Sequence, residues 1–352
     1  MDAPVFRTDK PFRLRAEKRV LHFRRPARTS RGALTERVVY YLTAETDEGT
    51  AIGECCTMPG LSPEEGENYE ALLHRACREA ERQRCLMPGD WQHCPSLLFG
   101  LESLFWGLQS PGAPLWNTAF ARGEAGIPMH HLIWMDTARG MLEQMEEGVR
   151  RGFTCLKLKV GALPFEEECE LLQEIRQRCP QTELRVDANG AFRTQDEALR
   201  KMQRLYDCGV EWLEQPLPRG HLRETAFLAE HSPLPLALDE ELIAAVSHDL
   251  RARLLDAVMP QGIVIKPSLH GGWSGTHDWV ALAEERGIRT WLNSALESHV
   301  GLSVLAQWCG RFAPDTLHGL GTGCLYRDDS SPLRPERGRL WCPQTQSPIN
   351  VS

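Results

Sequence analysis

Several features that would place this 352-residue chain in a specialised class are missing from its sequence. No run of about 18 apolar residues occurs, so no membrane span is predicted. The first 20 residues also lack the apolar core of a secretory signal. The formal net charge is −8, whereas a general nucleic-acid binder would usually be basic. We therefore expect a cytoplasmic protein with neither a membrane nor a nucleic-acid partner, and the sequence leaves its oligomeric state open.

Two kinds of motif are also missing. The 12 cysteines are scattered and form no CxxC pair, which makes zinc a weak interpretation. A disulfide framework is not expected in a chain of this length, so we predict reduced, mostly buried thiols. No GxGxxG motif follows a predicted strand, and nucleotide binding of that kind is therefore unsupported.

The composition itself, with 42% hydrophobic and 25% charged residues, is typical of a soluble globular protein. The first 125 residues or so mix strand and helix signals and predict an α+β unit. Aromatic and β-branched residues indicate paired strands, and apolar periodicity without internal proline indicates helices. The predicted strands are 11–24 and 36–46, the helices are 64–84 and 96–109, and the loops are 28–32 and 53–63.

From Pro128 onward, short apolar runs alternate with amphipathic helices such as 138–151, 165–178, 195–207 and 274–286. Eight strands alternating with helices predict a (β/α)8 barrel of the TIM type, with a doubly wound open sheet as the second possibility. The tail after about residue 325 is predicted to be coil. The eight predicted strands are 129–135, 154–160, 183–188, 210–216, 235–240, 262–267, 289–295 and 316–320.

Polar side chains recur where consecutive central strands end, and successive members lie 25 to 28 residues apart, close to one β/α unit. In a barrel these strand ends surround one mouth, where active sites form. Any single member could be a loop residue or a helix cap, but the set points to a site. Its members in order are Lys159, Asp187, Glu214, Asp239, Lys266 and Ser294.

The three carboxylates at Asp187, Glu214 and Asp239 would repel one another unless a cation lay between them. A set of oxygen ligands without histidine or cysteine suits a hard divalent cation. We therefore predict a metal site for Mg²⁺, with Mn²⁺ as a possible substitute.

Two lysines alternate with apolar residues in the run TCLKLKVG, residues 154–161. Side chains alternate between faces along a strand, so Lys157 and Lys159 are expected on one face, directed into the barrel. Lys159 lies nearer the mouth and is the predicted general base, while crowding by Lys157 and the metal is expected to favour its free amine. The simpler interpretation is a pair of exposed lysines on an edge strand. We expect the His130–His131 pair to be structural.

Five motifs in succession, KLKVG, RVDANGAF, EWLEQPLP, LALDEEL and IVIKPSLHGG, resemble the enolase superfamily and its muconate lactonizing subgroup over nearly the whole chain. The resemblance implies a TIM-like barrel at 126–325, an N-terminal capping domain at 1–125 and a tail at 326–352 that packs back on the capping domain. It also implies proton abstraction next to a substrate carboxylate. The implied residues are Lys159 and Lys266 as catalytic groups, Lys157 and Asn189 as supporting groups, Asp187, Glu214 and Asp239 as metal ligands, and Ser294, Glu297, Ser298, Gly321 and Thr322 as substrate contacts.

Within that subgroup, residues 53–64, 293–308 and 318–326 are most similar to the o-succinylbenzoate synthase family. This similarity implies dehydration of a small-molecule substrate, 2-succinyl-6-hydroxy-2,4-cyclohexadiene-1-carboxylate, in menaquinone biosynthesis. Lys266 would then act as a fixed cation.

Three alternatives remain at this point. A dipeptide epimerase or N-acylamino acid racemase would use both lysines, but dipeptide epimerases carry an alternating acid pair at the last strand end, where this sequence reads GLGTG. A Schiff-base aldolase would leave the three carboxylates without a purpose. A non-catalytic binding barrel would be expected to have lost a ligand or a lysine, and none is missing.

Overall fold

A computed structural model describes residues 6–29, 32–161, 163–321, 325–328 and 331–343 of the chain. The N-terminal unit is a three-stranded antiparallel sheet in the order β1-β2-β3, packed against two helices. Its elements are β1 (Arg13–Thr29), β2 (Gly32–Thr46), β3 (Gly49–Cys55), α1 (Tyr69–Gln83) and α2 (Pro95–Gly107).

Alternation along β2 buries both faces of this sheet. Tyr40 and Leu42 belong to the large core that includes both helices, whereas Val39 and Tyr41 pack in a second cluster with residues near the barrel mouth. The predicted loop at 53–63 is wrong at its start, because β3 continues to Cys55. Gly53 is required by a close approach of β3 to α2, since a Cβ there would collide with the carbonyl oxygen of Gly100.

The remainder of the chain forms a parallel barrel. Seven strands pair in sequential order from β11 to β5. They lie within the predicted strands and alternate with helices in the predicted order. The strands are β5 (His131–Ile133), β6 (Cys155–Lys159), β7 (Glu183–Asp187), β8 (Trp212–Glu214), β9 (Leu236–Leu238), β10 (Gly262–Ile265) and β11 (Arg289–Leu292), preceded by β4 (Ile127–Pro128).

An eighth, very short strand closes the barrel. Isolated parallel bridges pair His318 with Met129 and Gly319 with Asn293. The Gly319 N–H donates to Leu292 O at 2.8 Å, and the His318 N–H donates to the carbonyl of Pro128 at 3.0 Å. The two edges of the sheet are thereby joined, so the TIM-like barrel is confirmed and the open doubly wound sheet is excluded.

Amphipathic helices cover the outside of the barrel. The predicted helices 165–178 and 195–207 are found at those bounds. Thr194 explains why the helix 195–207 begins where it does. Its side chain accepts a hydrogen bond from the Glu197 N–H, and the Glu197 side chain accepts one from the Arg193 N–H, so the two side chains cap the helix reciprocally. The helices are α3 (Ala138–Arg150), α4 (Phe165–Arg178), α5 (Gln195–Asp207), α6 (Leu222–His231), α7 (His248–Val258), α8 (Gly272–Glu285) and α9 (His299–Phe312).

Aromatic side chains fill the lower half of the barrel. Trp212 and Trp291 meet edge to face at 5.3 Å between ring centroids, together with buried Ala237 and Val264. The Arg185 guanidinium lies 4.7 Å from the centre of the Trp291 ring, a cation–π contact. This packing leaves only the upper half of the barrel open for a site.

Two buried glutamates join the N-terminal unit to barrel helices. Glu54 on β3 accepts from the Ser298 and Gly301 N–H groups at 2.9 and 2.8 Å, at the start of α9. Glu102 on α2 accepts from the N–H groups of Trp273 and Ser274, at the start of α8. Both carboxylates occupy helix N-termini, where backbone donors and the helix dipole favour an acceptor.

The tail predicted as coil contains a hairpin, β12 (Arg334–Glu336) and β13 (Arg339–Trp341), which pairs with β4 of the barrel. Residues at the start of the tail contact the N-terminal unit, because Tyr326 forms a bridge with Phe23 and the Arg327 N–H donates to His22 O at 2.8 Å. No disulfide joins the described cysteines, and most of them are buried. Among the described helices, none has both the length and the apolar character needed to span a bilayer.

Candidate active site

The strand-end residues meet inside the upper end of the barrel. Lys159 is the last residue of β6, Asp187 of β7 and Glu214 of β8. Asp239 and Lys266 directly follow β9 and β10. Lys157 and Lys159 point to the same side, as predicted from the alternation along β6.

Ion pairs between lysines and carboxylates connect this group. The Lys157 Nζ lies 2.6 Å from Glu214 Oε2 and 3.3 Å from Asp187 Oδ2. The Lys159 Nζ lies 3.2 Å from the same Asp187 oxygen, and Lys266 pairs with Asp239. All three carboxylates are therefore in contact with ammonium groups.

Electrostatics keeps two of the lysines charged. Burial would lower the pKa of Lys157, but Asp187 and Glu214 outweigh it, so the pKa is raised. The pKa of Lys266 is raised in the same way, with Asp239 as the main opposing charge to burial. Lys157 thus acts directly as a charge partner of two carboxylates, and its expected effect on Lys159 stays a prediction. Lys266 is suited to the predicted role of a fixed cation.

The chemistry of the carboxylates fits a divalent cation. Glu214 Oε1 and Asp239 Oδ1 are buried oxygens without a hydrogen-bond partner among the described residues. Burial is the main cause that raises the pKa of Glu214, although the Lys157 ammonium lies beside it. Within the described ranges no three His, Cys, Asp or Glu side chains form a ready-made metal cluster, and the Lys157 ammonium lies between Asp187 and Glu214. An all-oxygen donor set with unsatisfied oxygens suits Mg²⁺ or Mn²⁺.

Asn189 supports the predicted base. It has a left-handed backbone conformation, φ 44°, and its N–H donates to Asp187 Oδ1 at 3.0 Å. Its side-chain oxygen accepts from Lys159 Nζ at 2.7 Å, and its amide nitrogen donates to Glu240 at 2.9 Å. The side chain therefore orients Lys159 as well as closing the turn.

Gln215 is a supporting residue that the sequence reasoning missed. It follows Glu214, is 1% exposed and has φ 42°. Its side-chain oxygen accepts from the N–H groups of Asp239 and Glu241 at 3.1 and 3.2 Å, and its amide nitrogen donates to Leu217 O at 2.9 Å. Gln215 thereby couples the ends of β8 and β9. Its position directly after the predicted metal ligand Glu214 is the sequence feature from which this supporting role could have been predicted.

His270 was missed as well. Its Nδ1 accepts from the Lys266 N–H at 2.9 Å, and its Nε2 lies 3.9 Å from Asp239 Oδ1. Burial lowers the pKa of His270 to about 3, so the ring is neutral. It fixes the backbone that carries Lys266.

A cavity of about 770 Å³ lies above these groups. The N-terminal unit contributes Arg25, Leu34 and residues 58–61 to its lining, so this unit covers the mouth. The barrel contributes Lys157, Lys159, Asp187, Asn189, Glu240, Lys266, Asn293, Ser294, Gly319, Gly321 and His130, among others.

The predicted substrate contacts divide into three groups. Ser294 and Gly321 line the cavity, whereas Thr322 lies outside the described residues, as do Ser30 and Arg31 of the predicted loop at 28–32. Glu297 and Ser298 are fully buried and do not line it. Glu297 accepts from Ser268 Oγ at 2.6 Å, and Ser298 binds Glu54 of the N-terminal unit. Their predicted substrate contact stays a prediction, whereas His130, expected to be structural, lines the cavity.

Comparison with known proteins gives a consistent result. The family described as enolase C-terminal domain-like matches residues 140–346. A curated o-succinylbenzoate synthase of Desulfotalea psychrophila is 40% identical over 343 residues, covering 88% of this chain and 93% of that protein. The crystal structure of MenC from Desulfotalea psychrophila superposes with a TM-score of 0.81 at 35% identity, covering 94% of this chain and 99% of that one. A dipeptide epimerase from Enterococcus faecalis, complexed with Mg and the dipeptide L-Leu-L-Tyr, has the same fold, with a TM-score of 0.78 at 19% identity and coverage of 96% and 98%.

Proposed function

The chain belongs to the enolase C-terminal domain-like family, and from this premise we propose that it is an o-succinylbenzoate synthase. It would dehydrate 2-succinyl-6-hydroxy-2,4-cyclohexadiene-1-carboxylate to 2-succinylbenzoate, a step of menaquinone biosynthesis. The observation that carries the proposal is 40% identity to a curated o-succinylbenzoate synthase over most of both chains. The two lysines and three carboxylates at the barrel mouth support it.

A divalent cation, which we expect to be Mg²⁺, would be held by Asp187, Glu214 and Asp239, where it would neutralise the substrate carboxylate and the charge that develops on it. These residues lie on three adjacent strands. The substrate carboxylate is therefore expected on this side of the mouth.

Lys159 and Lys266 have different roles in this mechanism: Lys159 transfers the proton, and Lys266 is a fixed positive charge. Lys159 as free amine removes the proton from the carbon next to the carboxylate, and negative charge develops on the carboxylate oxygens. Lys266 keeps its proton, because Asp239 raises its pKa against the effect of burial, and stabilises that charge. The proton on Lys159 then passes to the departing hydroxyl, which leaves as water, and the ring becomes aromatic. Asn189 holds the Lys159 nitrogen in position for both transfers.

A second activity, racemisation of an N-acylamino acid, is favoured by one observation. Lys159 ends β6 and Lys266 follows β10, four strands apart in an eight-stranded barrel, so the lysines face each other. Such a pair can serve both faces of an α-carbon. We propose this only as a side activity.

An ultraviolet assay with the hydroxycyclohexadiene carboxylate tests the main proposal. Rapid loss of the diene absorbance, abolished by EDTA and restored by Mg²⁺, is expected. Metal-loaded enzyme that leaves the diene unchanged would refute the dehydratase assignment. Exchange of the α-hydrogen of an N-succinylamino acid in D₂O, followed by NMR, tests the side activity separately.

A further inference from the structure

One arc of the barrel interior lies across from the three carboxylates. It is formed by the end of β11, the closing strand at 318–320 and the residue before β5. Asn293 and His130 are two polar residues of this arc, and both line the cavity. They are 5% and 4% exposed.

Both side chains converge on Gly319. A Cβ at Gly319 would collide with the Asn293 amide and would lie 2.7 Å from His130 Cε1. Gly319 therefore leaves room for the two side chains to reach the same point of the cavity wall.

Each of these side chains has a polar atom without a partner among the described residues, namely His130 Nδ1 and Asn293 Oδ1. Neighbouring histidines differ in this respect: His131 Nε2 lies 3.1 Å from Gln144 O, and the two ring nitrogens of His318 lie 3.0 Å from Leu292 N and Ala313 O. These two atoms are themselves covered. The other polar side-chain atoms of the same residues, His130 Nε2 and Asn293 Nδ2, are not among the covered atoms and form no hydrogen bond with the described residues. Because polar groups of largely buried side chains are nearly always hydrogen-bonded, these two donors in a cavity wall indicate a ligand-binding position.

We propose that His130 and Asn293 form a neutral polar subsite that binds the ketone oxygen of the substrate's succinyl chain. This inference rests on the proposed function. With the ring carboxylate directed to Asp187, Glu214 and Asp239, the adjacent succinyl substituent extends towards the opposite arc.

The chemistry of the two side chains fits a ketone better than a second carboxylate. Burial is the main cause that lowers the pKa of His130 well below its usual value, with the Lys157 charge adding to it, so the ring is uncharged. The tautomer protonated at Nε2 donates from that atom, and the Asn293 amide donates from Nδ2. Two neutral donors match a carbonyl oxygen with two lone pairs.

The test compares 2-succinylbenzoate with 4-(2-carboxyphenyl)butanoate, in which a methylene replaces the ketone. Calorimetric titration of the Mg²⁺-loaded full chain is expected to show about 30-fold tighter binding of the ketone, the size of two buried hydrogen bonds of about 1 kcal/mol each. The preference should fall several-fold in His130→Phe and in Asn293→Leu, because each variant keeps only one donor. His277→Phe is the matched control, because His277 is also buried with an unpartnered Nδ1 but does not line the cavity.

The outcomes separate the two proposals. A wild-type chain that turns over the diene but binds both ligands equally well, or whose ketone preference is undiminished in a folded His130 or Asn293 variant, overturns the subsite and leaves the function intact. A chain that does not turn over the diene overturns the function, and the subsite with it. Should His130→Phe fail to fold, Asn293→Leu and His130→Leu carry the same comparison.

Discussion

Replacing Gln215 with leucine gives the sharpest test of how the strand ends are held together. The change removes the acceptor for the Asp239 and Glu241 N–H groups and the donor to Leu217 O, all at a position that is 1% exposed. Each buried backbone group left unsatisfied costs about 1–3 kcal/mol, and partial relaxation lowers the sum. We expect the free energy of unfolding to fall by about 3–4 kcal/mol.

The same change should also act on the metal. Gln215 fixes the backbone of Asp239, and loss of such an outer contact typically weakens metal affinity by about 10–100-fold. Urea denaturation of the EDTA-treated chain measures the stability, and calorimetric titration with Mg²⁺ measures the affinity. Gln203→Leu is the control, because Gln203 is exposed and bonds only to Asp207 on its own helix. A Gln215→Leu chain with wild-type stability and wild-type Mg²⁺ affinity would refute this role.

Four further changes have definite expected results. Lys159→Ala and Lys266→Ala should each reduce turnover in the diene assay by at least about 10²-fold while circular dichroism shows an intact fold, and near-wild-type rates in either would contradict the mechanism. Asp239→Asn should weaken Mg²⁺ binding by titration, and an unchanged affinity would remove Asp239 from the ligand set. Burial raises the pKa of Glu102 to about 8 from an ordinary 4.5, so the stability contributed by its bound proton is complete below pH 4.5 and is lost as the pH rises through 8. Urea titrations from pH 5 to 9 should therefore show a decline of up to about 4–5 kcal/mol that Glu102→Gln removes, and parallel curves would argue against it.

Much of the barrel was predictable because its signals are local. Helix 165–178 begins directly after Pro164 and ends at Cys179, just before Pro180, so its bounds could be read from the sequence. The strand β3 could not, because Gly53 resembled the start of a loop. The reason for that glycine is the passage of α2 at Gly100, which only the tertiary structure reveals.

In the candidate site, too, some features follow from the local sequence and others depend on tertiary contacts. The inward side of Lys157 and Lys159 follows from the alternation along one strand, and the predicted family is confirmed by the comparisons. The predicted substrate contact of Ser298 stays a prediction, and no local pattern revealed its partner Glu54, which lies 244 positions earlier in the chain. Gln215 likewise owes its role to residues on other strands, which no local pattern specifies.

The bridges through His318 and Gly319 have a consequence for how the chain folds. They join the first and the last strand of the barrel, so closure depends on contacts between parts of the chain that are far apart in sequence. Such contacts form slowly, because a long loop must close before they stabilise anything. Until residue 319 has left the ribosome, β5 and β11 remain open sheet edges, and open edges invite pairing with other chains. Premature termination before residue 319 would therefore yield an aggregation-prone sheet. The few residues of the last strand prevent this by covering both open edges of the barrel sheet.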